Sequence, residues 1–114
     1  AYLNQQADKK AMNDLQALAK DTRTLYGAEA KYLVALQLYK AHEYAAAEKE
    51  ILNFIEQSTP HAYWLARSFI LLSDVYVSMD KKLDARQYLL SLQQNYHADD
   101  DIEQMINERL EKLK

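Results

Sequence analysis

The sequence predicts an all-α fold of antiparallel helix pairs stacked one on the next, and three observations carry that prediction. Only one Gly and one Pro occur in 114 residues, whereas sheet proteins need many of both for their turns. The better helix formers, Ala, Leu, Lys, Glu and Gln, fill the chain instead. One apolar pattern, an alanine followed by large apolar residues four and seven positions later, occurs three times: Ala11, Leu15 and Leu18; Ala47, Ile51 and Phe54; Ala85, Leu89 and Leu92. These alanines lie 36 and 38 residues apart, the length of a helix–turn–helix unit with its loops.

Helix boundaries follow from local chemistry. Asp8 is placed to cap a first helix over roughly 8–22. Gly27 falls near the start of a second, roughly 25–40, and His42-Glu43 marks a tight turn into a third, roughly 44–57. Thr59-Pro60 reads as a helix start, with Thr as N-cap and Pro at the first helical position of a helix running to about Met79. The stretch from Tyr63 to Met79 is apolar almost all round, so it is expected to be the most buried and most stable element. Asp80 to Lys82 form the next turn, followed by a helix over roughly 83–95. Asp99, Asp100 and Asp101 then place negative charge at the start of a last helix, where the macrodipole favours it.

That last helix carries Ile102, Met105, Ile106, Leu110 and Leu113 on one face. Glu103, Gln104, Asn107, Glu108, Glu111 and Lys112 occupy the other. One apolar and one charged face is what a terminal capping helix needs. The chain is thus expected to divide into a second helix of an incomplete repeat (1–22), two repeats (23–58 and 59–97) and a cap (98–114).

Composition excludes several function classes. Apolar residues make up 49% of the chain, nine of them Tyr, which is enough for a core. The net charge is −3, and no Lys/Arg run exceeds the pairs Lys9-Lys10 and Lys81-Lys82. Nucleic-acid binding, which draws on a basic patch, is not expected. Without Cys there are no disulfides and no thiolate metal sites. No run of 18 apolar residues exists to span a membrane, and no signal-peptide pattern is visible.

Candidate chemistry is equally sparse. His42, His61 and His97 fall in predicted turns and form no pair at metal-ligand spacing. Asp99 to Asp101 lack the alternation and the glycine of a calcium loop. One Gly cannot build a phosphate-binding loop. The serines fall where small residues serve helix ends or packing, so no enzyme is expected.

The three alanine motifs, together with what precedes them, resemble the tetratricopeptide-repeat (TPR) family. Its pattern runs W-x2-L-G-x2-Y, then A-x3-F, then P, in about 34 residues. Before Ala85 stand Phe69, Leu72, Ser73 and Tyr76; before Ala47 stand Lys31, Val34, Ala35 and Leu38. The small residues Ala35 and Ser73 fall where paired helices cross closely. Before Ala11 only Tyr2 remains, in what the register makes the final turn of a preceding helix, so the chain reads as a piece of a longer array. Tyr26 to Tyr32 and Thr59 to Arg67 further resemble the C-terminal repeats of long bacterial TPR proteins, many of them associated with the cell envelope.

The resemblance implies a TPR-type α-solenoid that holds a protein or peptide partner in a concave groove and needs no cofactor. By register the groove positions are Glu29, Tyr32, Leu36, Tyr39 and Lys40, then Arg67, Ile70, Asp74, Val77 and Ser78. Tyr and Arg are enriched at binding hot spots. The competing reading is that the apolar ones pack on neighbouring repeats. Chaperone-binding members clamp a terminal carboxylate with Lys and Asn. The matching positions here are Tyr32, Leu36, Ile70 and Asp74, none of which can do so. Two alternatives stay open: a terminal module with no partner of its own, or self-association as a homodimer through the N-terminal helix.

Overall fold

The computed structural model describes the backbone of residues 2–113 and the side chains from Lys10 to Leu113. Six helices follow one another with short connections: α1 (Tyr2–Leu18), α2 (Leu25–Lys40), α3 (Tyr44–Glu56), α4 (Ala62–Ser78), α5 (Lys82–Asn95) and α6 (Ile102–Lys112). No strand occurs among the described residues.

Each helix packs on its neighbour in sequence, and α2, α4 and α6 also pack on one another in a row. Helices α1, α3 and α5 stand behind that row and make no comparable contact among themselves. Helix α4 touches α2, α3, α5 and α6. Its buried residues, including Ile70, Leu71, Leu72 and Val75, join the two larger apolar clusters of the core. The near-continuous apolar sequence of this segment reflects that central place.

Two units of the chain match at a spacing of 38 residues. Ala47 and Ala85 are both fully buried where α3 and α5 meet their partners. His42 and Asp80 both adopt left-handed backbone, with φ of 62° and 61°. The amide of Glu43 donates to the carbonyl of Leu38 (2.9 Å), and that of Lys81 to Tyr76 (2.7 Å). Helices α2 and α4 therefore end in the same C-terminal motif, in which a left-handed residue lets two amides fold back onto orphan carbonyls. Glycine usually fills that position; here His42, Asp80 and, after α3, Ser58 (φ 53°) take it.

Turn chemistry also ties successive loops together. The Thr59 hydroxyl donates to the Thr22 carbonyl (2.6 Å), the Thr22 hydroxyl to Gln57 Oε1 (2.6 Å), and His61 Nε2 lies 2.9 Å from the Arg23 carbonyl. The loop before α2 is thereby fastened to the loop before α4. Between α2 and α3, the buried ammonium of Lys31 is satisfied by Glu50 (2.7 Å) and Asn53 (2.8 Å), as a buried charge requires.

Several expected boundaries are corrected. Helix α1 is continuous from Tyr2, so Asp8 lies inside it rather than capping it, and Tyr2 does not belong to a separate preceding helix. It ends at Leu18, not 22, and buries Ala19 just past that end, with Met12 and Leu15 half-buried. Ala11 is exposed, unlike its counterparts Ala47 and Ala85, because α1 packs on α2 alone. Thr59 and Pro60 precede α4, which starts at Ala62 with His61 at the cap position; the Thr59 hydroxyl is committed to the neighbouring loop. At the start of α6 it is Asp100, not Asp101, whose carboxylate accepts the Ile102 amide (3.0 Å). The expected stripe on α6 holds: Ile102 and Ile106 are buried against α4 and α5, with Met105, Leu110 and Leu113 half-buried beside them.

Candidate functional site

The row of α2, α4 and α6 gathers the sequence-predicted groove residues, and it falls into two halves of different character. The half nearer the start of α4 is filled by its own side chains. The Arg67 guanidinium donates to the hydroxyls of Tyr63 (2.9 Å) and Tyr32 (3.1 Å) and lies over both rings, 5.1 Å from the Tyr32 centroid. Tyr63 in turn donates to Asp101 (2.9 Å), while Trp64 packs its ring 5.6 Å from Tyr32 and 5.2 Å from Tyr63. Arg67 Nε is buried without a hydrogen-bond partner. Each aromatic ring in this cluster thus contacts another member of it.

For two of the predicted residues burial decides the matter. Ile70 is 1% exposed in the core between α4, α5 and α6, and Tyr32 is buried under Arg67 and Trp64. Neither presents a surface to a partner in this conformation. Leu36 is half-buried against the main core, and Glu29 is half-buried near the start of α2.

The other half is open. A cleft of about 550 Å³ lies between the C-terminal ends of α2, α4 and α6. Tyr39, Asp74, Val77 and Ser78 line it, so four predicted groove positions meet there. Lys40 is exposed at the end of α2 but is not among the lining residues. The remaining wall comes from Ser73, expected only as a packing position, and from residues that sequence reasoning missed: Lys82 from α5, and Glu108, Arg109, Lys112 and Leu113 from α6 and its end.

One ion pair spans the cleft floor. Arg109 Nε and Nη2 each lie 3.0 Å from an Asp74 carboxylate oxygen, a two-pronged pair between α6 and α4 that stays partly open to water. Arg109 Nη1 also donates to the Met105 carbonyl (3.3 Å). A signal for Arg109 existed in the sequence. It stands four residues after Met105 and four before Leu113, and so falls within the apolar stripe of α6 rather than on its charged face.

Elsewhere the polar candidates serve the turns. His42 stacks on Tyr44, His61 and His97 approach backbone carbonyls, and Asp100 accepts from Tyr96 (2.6 Å) as well as from Ile102. No group of three His, Asp or Glu side chains that could hold a metal ion occurs among the described residues. Among them, too, no helix is long and apolar enough to cross a membrane. Comparison of the chain with protein-family models, curated proteins and solved structures finds no match.

Proposed function

We propose that this chain is a TPR-type helical-repeat module that binds a segment of a partner protein in the cleft between α2, α4 and α6. The observation that carries the reading is the cleft itself, where Tyr39, Asp74 and Val77, drawn from two helices and placed in a groove by register alone, line one cavity with residues of α6. Its lining includes Tyr39 and Arg109, residue types enriched at protein interfaces. The repeat assignment draws on the 38-residue correspondence of buried alanines and left-handed helix ends. It draws also on the row packing of α2, α4 and α6, since repeats of this kind contact only their neighbours.

A photo-crosslinking residue tests this at Val77, with Leu83 as control. Leu83 lies outside the row and is 79% exposed against 38% for Val77, so random collisions favour the control. Defined crosslinked partners from Val77 and not from Leu83 are the expected result. Equal products from both sites would remove the cleft from consideration.

A second reading, self-association, rests on a separate surface. Leu18, Leu25 and Tyr26 are 54%, 51% and 72% exposed at the junction of α1 and α2, and clustered exposed apolar groups seek cover. A mass that rises with concentration, and that Tyr26→Lys returns to monomer, would assign that end to a homodimer. A strict monomer would leave the cleft reading alone.

A further inference from the structure

We propose that the cleft selects an acidic segment, and that Asp74 acts as a built-in competitor for it; this rests on the protein-binding reading above. The chain as a whole carries −3, yet the cleft sets Lys82, Arg109 and Lys112 against Asp74 and Glu108. Asp74 is bonded through both oxygens to Arg109, so those two charges cancel. Lys82 and Lys112 form no ion pair among the described residues. Glu108 offsets one of these lysines, so three cations against two carboxylates leave the lining one charge positive in an acidic protein, with the apolar Val77 and Leu113 beside them.

The cations stand on two elements. Lys82 is the first residue of α5, Lys112 the last of α6, and Arg109 lies one turn earlier in α6. Groups spread in this way match carboxylates distributed along a segment better than they match one terminal carboxylate. Arg109 is the strongest carboxylate receptor among them, because its planar fork makes two parallel bonds. In the free protein Asp74 occupies that fork. An incoming Glu or Asp side chain must displace Asp74 to use it, which makes Asp74 an internal stand-in for the ligand.

The consequence is an inverted charge effect: removing a negative charge at Asp74 should strengthen binding by more than simple screening of a remote charge allows. The probe is a fluorescein-labelled nonapeptide of Glu, Leu and Ser with blocked termini, read by anisotropy at low salt. Parallel peptides carry Gln or Lys in place of Glu, and one carries a free C-terminus. The Glu peptide should bind about tenfold more tightly than the Gln peptide and lose affinity as salt rises. The combined variant Lys82→Glu, Lys112→Glu should lose at least about tenfold, while Asp74→Asn should gain about three- to tenfold. Arg109→Gln should abolish the gain given by Asp74→Asn, and circular dichroism of each variant confirms that it is folded. Equal binding of Glu and Gln peptides, with amide shifts confined to the cleft, would overturn acidic selection and leave the groove reading standing. A requirement for the free C-terminus would overturn recognition of distributed side chains. Unchanged affinity in Asp74→Asn would overturn the competitor role. No binding by any peptide would overturn the inference entirely, while the Val77 crosslinking result decides the groove reading on its own.

Discussion

Arg109 reaches from α6 to grip both oxygens of Asp74 on α4, at 3.0 Å each. Arg67 reaches from α4 to the hydroxyl of Tyr32 on α2 in the same way, and 35 residues separate the partners in each case. Each helix of the row is therefore fastened to the one before it by a guanidinium.

The Asp74–Arg109 pair is partly solvated, so its contribution to stability is modest. A double-mutant cycle with Asp74→Asn and Arg109→Gln, read from urea midpoints, should give a coupling of about 0.5–1 kcal/mol, at the upper end for exposed pairs because the geometry is two-pronged. Arg109→Lys should recover less than half of it, since an ammonium cannot make both bonds. A coupling near zero would show the pair to be incidental.

Gly27 offers a prediction whose sign opposes helix propensity. In an open helix Gly→Ala stabilises by about 1 kcal/mol. Here a Cβ on Gly27 would run into the Asp21 carbonyl, with the Thr24 hydroxyl, which caps α2 by accepting the Gly27 amide (2.9 Å), also in the way. Gly27→Ala should therefore destabilise by about 1–3 kcal/mol, as overpacked sites do. Chemical denaturation gives the answer, and any stabilisation would mean that the turn has room to spare.

Ala47 and Ala85 provide the packing test. Both are fully buried, and Leu at either position should cost about 1–3 kcal/mol in equilibrium unfolding. Ala11→Leu, on the exposed side of α1, should be close to neutral, although the same sequence pattern surrounds all three.

That contrast marks how far the sequence carries. Helix type and most boundaries were legible, α2 to the residue, because apolar periodicity and the scarcity of Gly and Pro act locally. The core alanines Ala47 and Ala85 were legible because the large apolar residues four and seven positions on mark the same buried face of α3 and α5. Ala11 shares the pattern yet is exposed, because burial depends on what packs outside the helix, which its own spacing does not reveal. Thr59 looked like a cap, but its hydroxyl goes to Thr22, a partner 37 residues away. Register put Tyr39, Asp74 and Val77 on one surface, and in the structure they line one cleft. It could not show that Tyr32, Arg67 and Tyr63 would satisfy one another, nor that a charged Arg109 would sit within an apolar stripe.

Tyr96 supplies a pH dependence. Burial first, then its hydrogen bond to Asp100 and the nearby carboxylates, push the phenol up to about 12, against roughly 10 in an unfolded chain. The neutral form is favoured in the folded state. Its contribution to stability is therefore complete below about pH 10 and is lost as pH rises towards 12. Urea midpoints measured across that window should fall less steeply for Tyr96→Phe than for the parent. Parallel curves would mean that Tyr96 ionises as freely when folded.

The unequal sharing of contacts among the helices has a mechanical consequence. Helix α1 rests on α2 alone, whereas α4 is held by four neighbours. Tension on α1 is therefore resisted by its interface with α2 before it reaches the next helix. The described helices are thus unequally held, α1 by the fewest neighbours and α4 by the most. A load applied at α1 is shed by peeling that helix before it can reach the helices that line the cleft.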